Sequence, residues 1–241
     1  MIGILTSNFS LYYELIRALK KREVPFASLA FNQPIPPNVK VIITTPKERK
    51  KIDFENVVTY RGGDIEILID KAIFLQTGTN AFKKIVIGID PGLTPGIAIF
   101  GNDILLRRFL ASSPEEVVDF VALCTKEWGR DNLIVRIGHG ARLVRNRIVN
   151  MLCEMNICIE IVDETSTTST DDTLSASSIA RIPGRIVEKE LSLEPKEGEI
   201  RDIQRKSRIV SGDITISKSL AKKVLKGEIG MEEAIEKQRK K

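Results

Sequence analysis

Aromatic residues are scarce in this chain, 5% of 241 positions. Around the acids singled out below they are only Phe100, Phe109, Phe120 and Trp128. A base-stacking platform of the kind single-strand nucleic-acid binders use is therefore not expected. Cysteine is scarcer still: Cys124, Cys153 and Cys158, with no CxxC spacing. An odd count argues for reduced thiols and against a disulfide framework, and buried small hydrophobes is the role they fit. One histidine, His139, leaves too few ligands for a structural zinc site. No apolar run approaches the roughly 20 residues of a membrane span, and the first residues lack the order of a signal peptide. No membrane partner is expected, and the cytoplasm is the expected compartment. The first 76 residues contain neither GxGxxG nor GxxxxGK[ST], so no nucleotide site is read there.

What is present is ordinary in bulk and uneven in detail. Hydrophobic residues make up 42% and charged ones 29%, the balance of a soluble globular protein with room for one large or two small domains. The net charge of +5 comes from 37 basic and 32 acidic residues. Residues 181–241 hold 16 of the basic and 11 of the acidic side chains, so the whole excess lies there. Attraction to a polyanion is expected to concentrate near the C-terminus.

Over the first 76 residues short strands alternate with helices. Residues 2–6 and 25–30 read as buried strands with a helix over 11–23 between them. After the Pro-rich loop FNQPIPPN come a strand over 40–45, the polar stretch KERKKID, a strand over 56–60 and a helix over 64–76. Together they make a small parallel α/β domain of four strands, residues 1–78. TGTNAFKK reads as a linker. The second unit, residues 84–184, opens with KIVIGID and GIAIF, two apolar strands separated by PGLTP and expected to form a hairpin. ILLRRFL is a third strand. Ser113-Pro114-Glu115-Glu116 reads as a capping box with proline at the first helical position, and the helix behind it aligns Val117, Val118, Val121, Ala122 and Cys124. A strand over 132–138, a helix over 141–155, a strand over 157–164 and a helix over 171–182 follow, giving β-β-β-α-β-α-β-α.

The tail, residues 185–241, reads as helices over 194–208, 217–227 and 231–239 with a turn at Ser211-Gly212-Asp213. Ile216, Leu220 and Val224 form an apolar stripe expected to dock on the body. Lys218, Lys222 and Lys226 share the same spacing and form a basic row on an adjacent face.

Acids fall at comparable places in the second unit. Asp90 ends its first strand, Asp163 and Glu164 end its last, and Asp171 and Asp172 open the helix after that. A carboxylate at a buried strand end is costly unless something binds it. Chemistry in open α/β sheets collects beyond strand ends, and carboxylates gathered there repel unless they share a cation. Magnesium takes hard oxygen ligands and keeps several waters, so two or three carboxylates suffice.

Residues 84–182 resemble a known superfamily. VIGIDPGLTPGIAIF resembles the first hairpin of the RuvC-like branch of the RNase H superfamily, where an aspartate followed by Pro-Gly opens the site. IVDETSTTS resembles the strand-five motif of the YqgF family, and DTLSASSIA resembles that family's closing helix and, more loosely, that of RuvC. The resemblance implies an RNase H-like mixed-sheet domain and a Mg²⁺- or Mn²⁺-dependent nuclease, of the Holliday junction resolvase or pre-16S rRNA nuclease kind. It carries Asp90, Glu164 and Asp172 over as catalytic metal ligands, with Asp90 bridging two ions. The chain departs from the pattern at Thr165, where YqgF has arginine, and at Ser175, where RuvC has a second helix aspartate. Gly138-His139-Gly140 also stands where RuvC has a strand-ending glutamate. These departures favour YqgF over RuvC and keep a second class open, a nucleic-acid-binding or scaffold protein with a decayed site. An actin-like ATPase would need a second phosphate loop and greater length.

Arginine suits phosphate oxygens bidentately. Arg142 and Arg145 lie three apart on one predicted helix, and Arg181 follows the acidic one. With Lys218, Lys222 and Lys226 they are the expected contacts to RNA or DNA, made to backbone and shape rather than to sequence. A resolvase would also need a two-fold homodimer to cut paired strands.

Overall fold

The structure, a computed structural model, describes residues 1–78, 83–92, 94–163 and 171–240. Its N-terminal part runs β1 (Ile2–Ile4), α1 (Phe9–Lys21), β2 (Phe26–Ser28), β3 (Val41–Thr44), α2 (Pro46–Arg49), β4 (Val57–Thr59) and α3 (Ile65–Leu75). The strands form a parallel sheet in the order β2-β1-β3-β4. Strand β3, VIIT, is buried throughout, as parallel strands covered on both faces must be. The Asn8 side chain caps α1 by accepting from Leu11 N. Leu11, Leu15, Ala18 and Leu19 then fall on its buried side, the 3.6-residue period of a helix packed on a sheet. Helix α2 arises inside the stretch expected to be merely polar. Thr45 precedes it, Pro46 opens it, and Glu48 turns back to accept from Thr45 N.

The second part runs β5 (Ile85–Asp90), β6 (Gly96–Gly101), β7 (Ile104–Leu110), α4 (Pro114–Trp128), β8 (Leu133–Gly138), α5 (Arg142–Cys153), β9 (Cys158–Val162), α6 (Asp172–Arg181) and β10 (Arg185–Ile186). Its sheet has the order β10-β9-β8-β5-β6-β7. The hairpin strands β5, β6 and β7 are antiparallel, β8 and β9 run parallel to β5, and β10 closes the edge antiparallel to β9. Side chains alternate between the faces. Ile85, Ile87, Ile89, Ile97, Ile99, Val135 and Ile137 join the core made with α4 and α5. Val86, Ala98 and Phe100 join Ala176 and Ala180 of α6 on the other face. The chain is therefore α/β, a parallel sheet followed by a mixed one, with helices at the C-terminal end, as the strand and helix patterns imply.

Helix α3 joins the two parts. Leu68, Ile69 and Ala72 belong to the N-terminal core, while Ile67 and Phe74 belong to the core of the mixed sheet. A helix apolar on more than one side is one covered on more than one side.

The tail consists of α7 (Glu197–Ser211), α8 (Lys218–Leu225) and α9 (Met231–Arg239). The apolar stripe does not dock on the body. Ile216 and Leu220 are buried against Ile200 of α7 and Ala234 and Ile235 of α9, with Val224 packed on the same cluster. An amphipathic period fixes that a face is covered, not what covers it, and here the nearest apolar surface is the tail's own. Among the described residues, no helix is long and apolar enough to cross a membrane.

Candidate site at the strand ends of the mixed sheet

The site is built by two glycines. Asp90 ends β5 half-buried and pairs with Gly96, the first residue of β6. Directly opposite residues of an antiparallel pair point to the same face, with Cβ positions about 5 Å apart. A Cβ at Gly96 would lie 2.1 Å from the Asp172 carbonyl oxygen and 3.1 Å from the Asp172 Cβ. The first turn of α6 thus rests on the bare backbone of Gly96. The Cβ atoms of Asp90 and Asp172 stand within about 8 Å of each other on one face of the sheet, by the pair spacing above. At Gly88, two residues back on the same face of β5, a Cβ would lie 2.1 Å from the Ala176 carbonyl oxygen and 2.7 Å from the Ala180 Cβ. Gly88 and Gly96 together let α6 lie directly on β5 and β6.

The far end of α6 is anchored by Arg136 of β8. This buried guanidinium donates to the Ala180 carbonyl at 2.8 Å and to Glu160 of β9 at 2.7 Å. Burial pushes the Glu160 carboxyl up, but hydrogen bonds from Gly184 N and Arg136 hold it below the ordinary range. Arg136, which its residue type and place before the Gly138-His139-Gly140 turn mark as a phosphate contact, instead pairs inside the sheet with Glu160, its direct neighbour in the β8–β9 ladder. Residue type alone did not mark Glu160.

Of the acids expected at the site, Asp90 and Asp172 are brought together and Glu164 lies outside the described residues. Asp163 is exposed just beyond β9. Asp171 is the N-cap of α6: its carboxylate accepts from Thr173 Oγ1 and Thr173 N, and these bonds hold it below the ordinary range. Among the described residues, no three histidine, cysteine, aspartate or glutamate side chains cluster as a metal-binding group.

The expected phosphate-binding residues divide into two sets. Arg142 grips Glu199 of α7 with two hydrogen bonds at 2.7 and 2.8 Å and donates to the Ser192 and Glu194 carbonyls. The pair favours both charges, raising the arginine and lowering the carboxyl. Arg145 is buried, donating to Asn146 Oδ1 and to the His139 carbonyl. Both arginines therefore hold structure in place, Arg142 the tail and Arg145 the Gly138–Gly140 turn. Arg181 is exposed, its guanidinium 5.1 Å from the centre of the Phe100 ring. In the tail, Lys218 pairs with Glu197 and Lys226 with Glu194 at the surface, while Lys222 is exposed between them.

Two family models match the chain. Residues 1–75 match a response regulator receiver-like domain, and residues 196–240 match a three helical bundle domain. Neither is a nuclease family. This corrects the expectation drawn from the central motifs: the families found are not of the RNase H type, and the resemblance to RuvC and YqgF does not identify the chain. Both matches lie outside residues 84–184. Short motifs such as Asp-Pro-Gly or a Ser/Ala-rich helix start recur wherever a strand turns or a helix must pack closely, and both needs are met here by turn chemistry and by Gly88 and Gly96. No curated protein shows a significant match to the chain.

Proposed function

We propose that this chain is a divalent-metal-dependent phosphodiesterase acting on nucleic acid, with Asp90 and Asp172 as metal ligands. The observation that carries it is the contact of the Asp172 backbone with Gly96, the ladder partner of Asp90. The two carboxylates are hard oxygen donors on one sheet face, and two aspartates bound to one ion can bridge a Cβ separation of up to about 9 Å. The donor set therefore fits Mg²⁺ or Mn²⁺. Such an ion supplies an activated water and stabilises the leaving oxygen of a phosphodiester. The chain's own part is positional: Gly96 admits the first turn of α6, Arg136 fixes its last turn, and the buried end of β5 holds Asp90. The N-terminal end of α6 also favours negative charge beside it.

Arg181 and the exposed lysines of the C-terminal bundle supply cations for a phosphate backbone. The whole positive excess of the chain lies in residues 181–241, which supports a second reading, a nucleic-acid-binding module without cleavage. One experiment separates the two. Wild type, Asp90→Asn and Asp172→Asn are incubated with four-way junctions, duplexes and structured RNA in Mg²⁺ or Mn²⁺. Cleavage by wild type, lost in both variants while their circular dichroism and Tm are retained, is the expected result. Binding without cleavage by wild type supports the second reading and removes the first.

A further inference from the structure

The parallel sheet has strand ends of its own. From β1 the chain forms β2 on one side and then crosses to β3 on the other. Ligands of open α/β sheets bind beyond the carboxyl ends at such a reversal. A crevice of 680 Å³ lies there, floored by Glu48. The Glu48 carboxylate accepts from Thr6 Oγ1 at 2.7 Å, Ser7 N at 2.6 Å and Thr45 Oγ1 at 2.6 Å, and also from Ser7 Oγ. Its charge is thus satisfied from below. At the mouth stand Lys47, Lys51 and Arg61. All three are exposed, and none takes part in an ion pair among the described residues. Three cations face one internally satisfied acid.

Tyr60 and Arg61 also line a second cleft, of 630 Å³, between α3 and the C-terminal end of α4. Its walls include Phe74 and Trp128, the only tryptophan of the chain, with the Lys71–Glu127 ion pair across it. Both volumes are those of small-molecule sites. One end is cationic, the other is aromatic with polar groups at its edge, and Tyr60 and Arg61 line both.

We propose that the two clefts together bind a nucleoside monophosphate. The phosphate rests on Lys47, Lys51 and Arg61, and the base lies in the cleft of Tyr60 and Trp128. Side-chain cations take the place of a glycine-rich loop, so the missing GxGxxG does not exclude the site. This inference is independent of the acid pair at Asp90.

The test titrates the full chain with AMP, inorganic phosphate and adenosine, reading Trp128 fluorescence and calorimetry. AMP is expected to bind saturably, to change the Trp128 emission, and to bind at least tenfold more tightly than phosphate or adenosine. The triple variant Lys47→Ala, Lys51→Ala, Arg61→Ala changes only exposed side chains and should lower AMP affinity tenfold or more while leaving adenosine unchanged. Lys40→Ala, an exposed lysine before β3 and so at the opposite end of the strand from the crevice, should leave both unchanged. No saturable binding of AMP, phosphate or adenosine binding as tightly as AMP, or an unaffected triple variant would each overturn the proposal.

Discussion

Glu48 shows how much one carboxylate can depend on its donors. Burial alone would raise its pKa, but hydrogen bonds from Ser7, Thr45 and Thr6 outweigh that and bring it from an ordinary 4.5 to about 2. The folded-state value is depressed, so the stabilisation is complete above the unfolded value and disappears as pH falls through the folded one. The window is about pH 4.5 to 2. At 1.36 kcal/mol per unit the shift corresponds to about 3 kcal/mol, and water at the crevice mouth reduces this to roughly 2 kcal/mol. Glu48→Gln should therefore lose about 2 kcal/mol in urea unfolding at pH 7, and the gap to wild type should close as pH is lowered towards 2. A gap that stays constant with pH would assign the loss to packing instead. The sequence carries a signal for this residue that the expectation of a merely polar stretch misses: Thr45-Pro46 with Glu48 two places on is the same capping signal as Ser113-Pro114 with Glu116. Arg142 and Arg145 were not legible in this way. Residue type shows that an arginine can grip an oxyanion, but whether its partner is a phosphate or Glu199 depends on what the fold brings within about 3 Å.

At the scale of elements, α6 decides whether the candidate site exists. The sequence placed its start correctly because Asp171 is a strong N-cap, its carboxylate accepting from Thr173 N and Leu174 N. The sequence also placed Asp90 at a strand end. It did not show how closely helix and sheet approach, because that depends on which glycines lie beneath Asp172, Ala176 and Ala180. Gly96→Ala puts a methyl 2.1 Å from the Asp172 carbonyl and 2.5 Å from its carbon. Backbone cannot yield there as a flexible side chain could, so the first turn of α6 must lift, at a cost of about 1–3 kcal/mol for overpacking. Gly88→Ala meets the Ala176 carbonyl at the same 2.1 Å and should cost a similar amount. Only Gly96→Ala moves Asp172 directly away from Asp90. Both variants should lower Tm, and Mn²⁺ affinity, read by calorimetry at a temperature where both remain folded, should fall several-fold more in Gly96→Ala. Equal loss of Mn²⁺ binding in the two would show that the acids respond to the helix as a whole. The tail gives the matching lesson: Ile216, Leu220 and Val224 announced a covered face, and only the packing of α7, α8 and α9 revealed that they cover one another.

The whole molecule is held across its two sheets by α3 and by one buried charge. Asp70, on α3, is fully buried. Arg22, the C-cap of α1, donates to it at 2.7 Å and to the Leu106 carbonyl of β7 at 2.8 Å. Arg107 of β7 brings Nη2 to 3.2 Å from the other Asp70 oxygen, an ion pair without hydrogen-bond alignment, and lies over the Phe109 and Phe120 rings. Burial pushes the Asp70 carboxyl up, and Arg107 and Arg22 pull it back. Residues 22, 70 and 107 are too far apart in sequence for any local pattern to join them, so this contact was not readable before the fold. Desolvating three charges offsets most of their attraction, and such a group is weak evidence for net stability. Removing one partner is different, because it leaves the largely buried Arg22 and Arg107 with only the part-exposed Glu66 as an anion. Asp70→Ala should cost about 3–5 kcal/mol. The loss should fall on the junction between the sheets, where α3 meets β7, more than on either core. Replacing the three buried members (Asp70→Leu with Arg22→Met and Arg107→Met) keeps apolar volume there, leaves the part-exposed Glu66 to solvent and should recover most of the loss. Urea unfolding followed by circular dichroism and by Trp128 fluorescence measures both points. For Asp70→Ala the two probes should give separated transitions, and for the triple variant they should coincide again. Coincident curves in Asp70→Ala, or a triple variant less stable than the single one, would place the coupling between the sheets in the apolar face of α3, where Ile67 and Phe74 enter the second core.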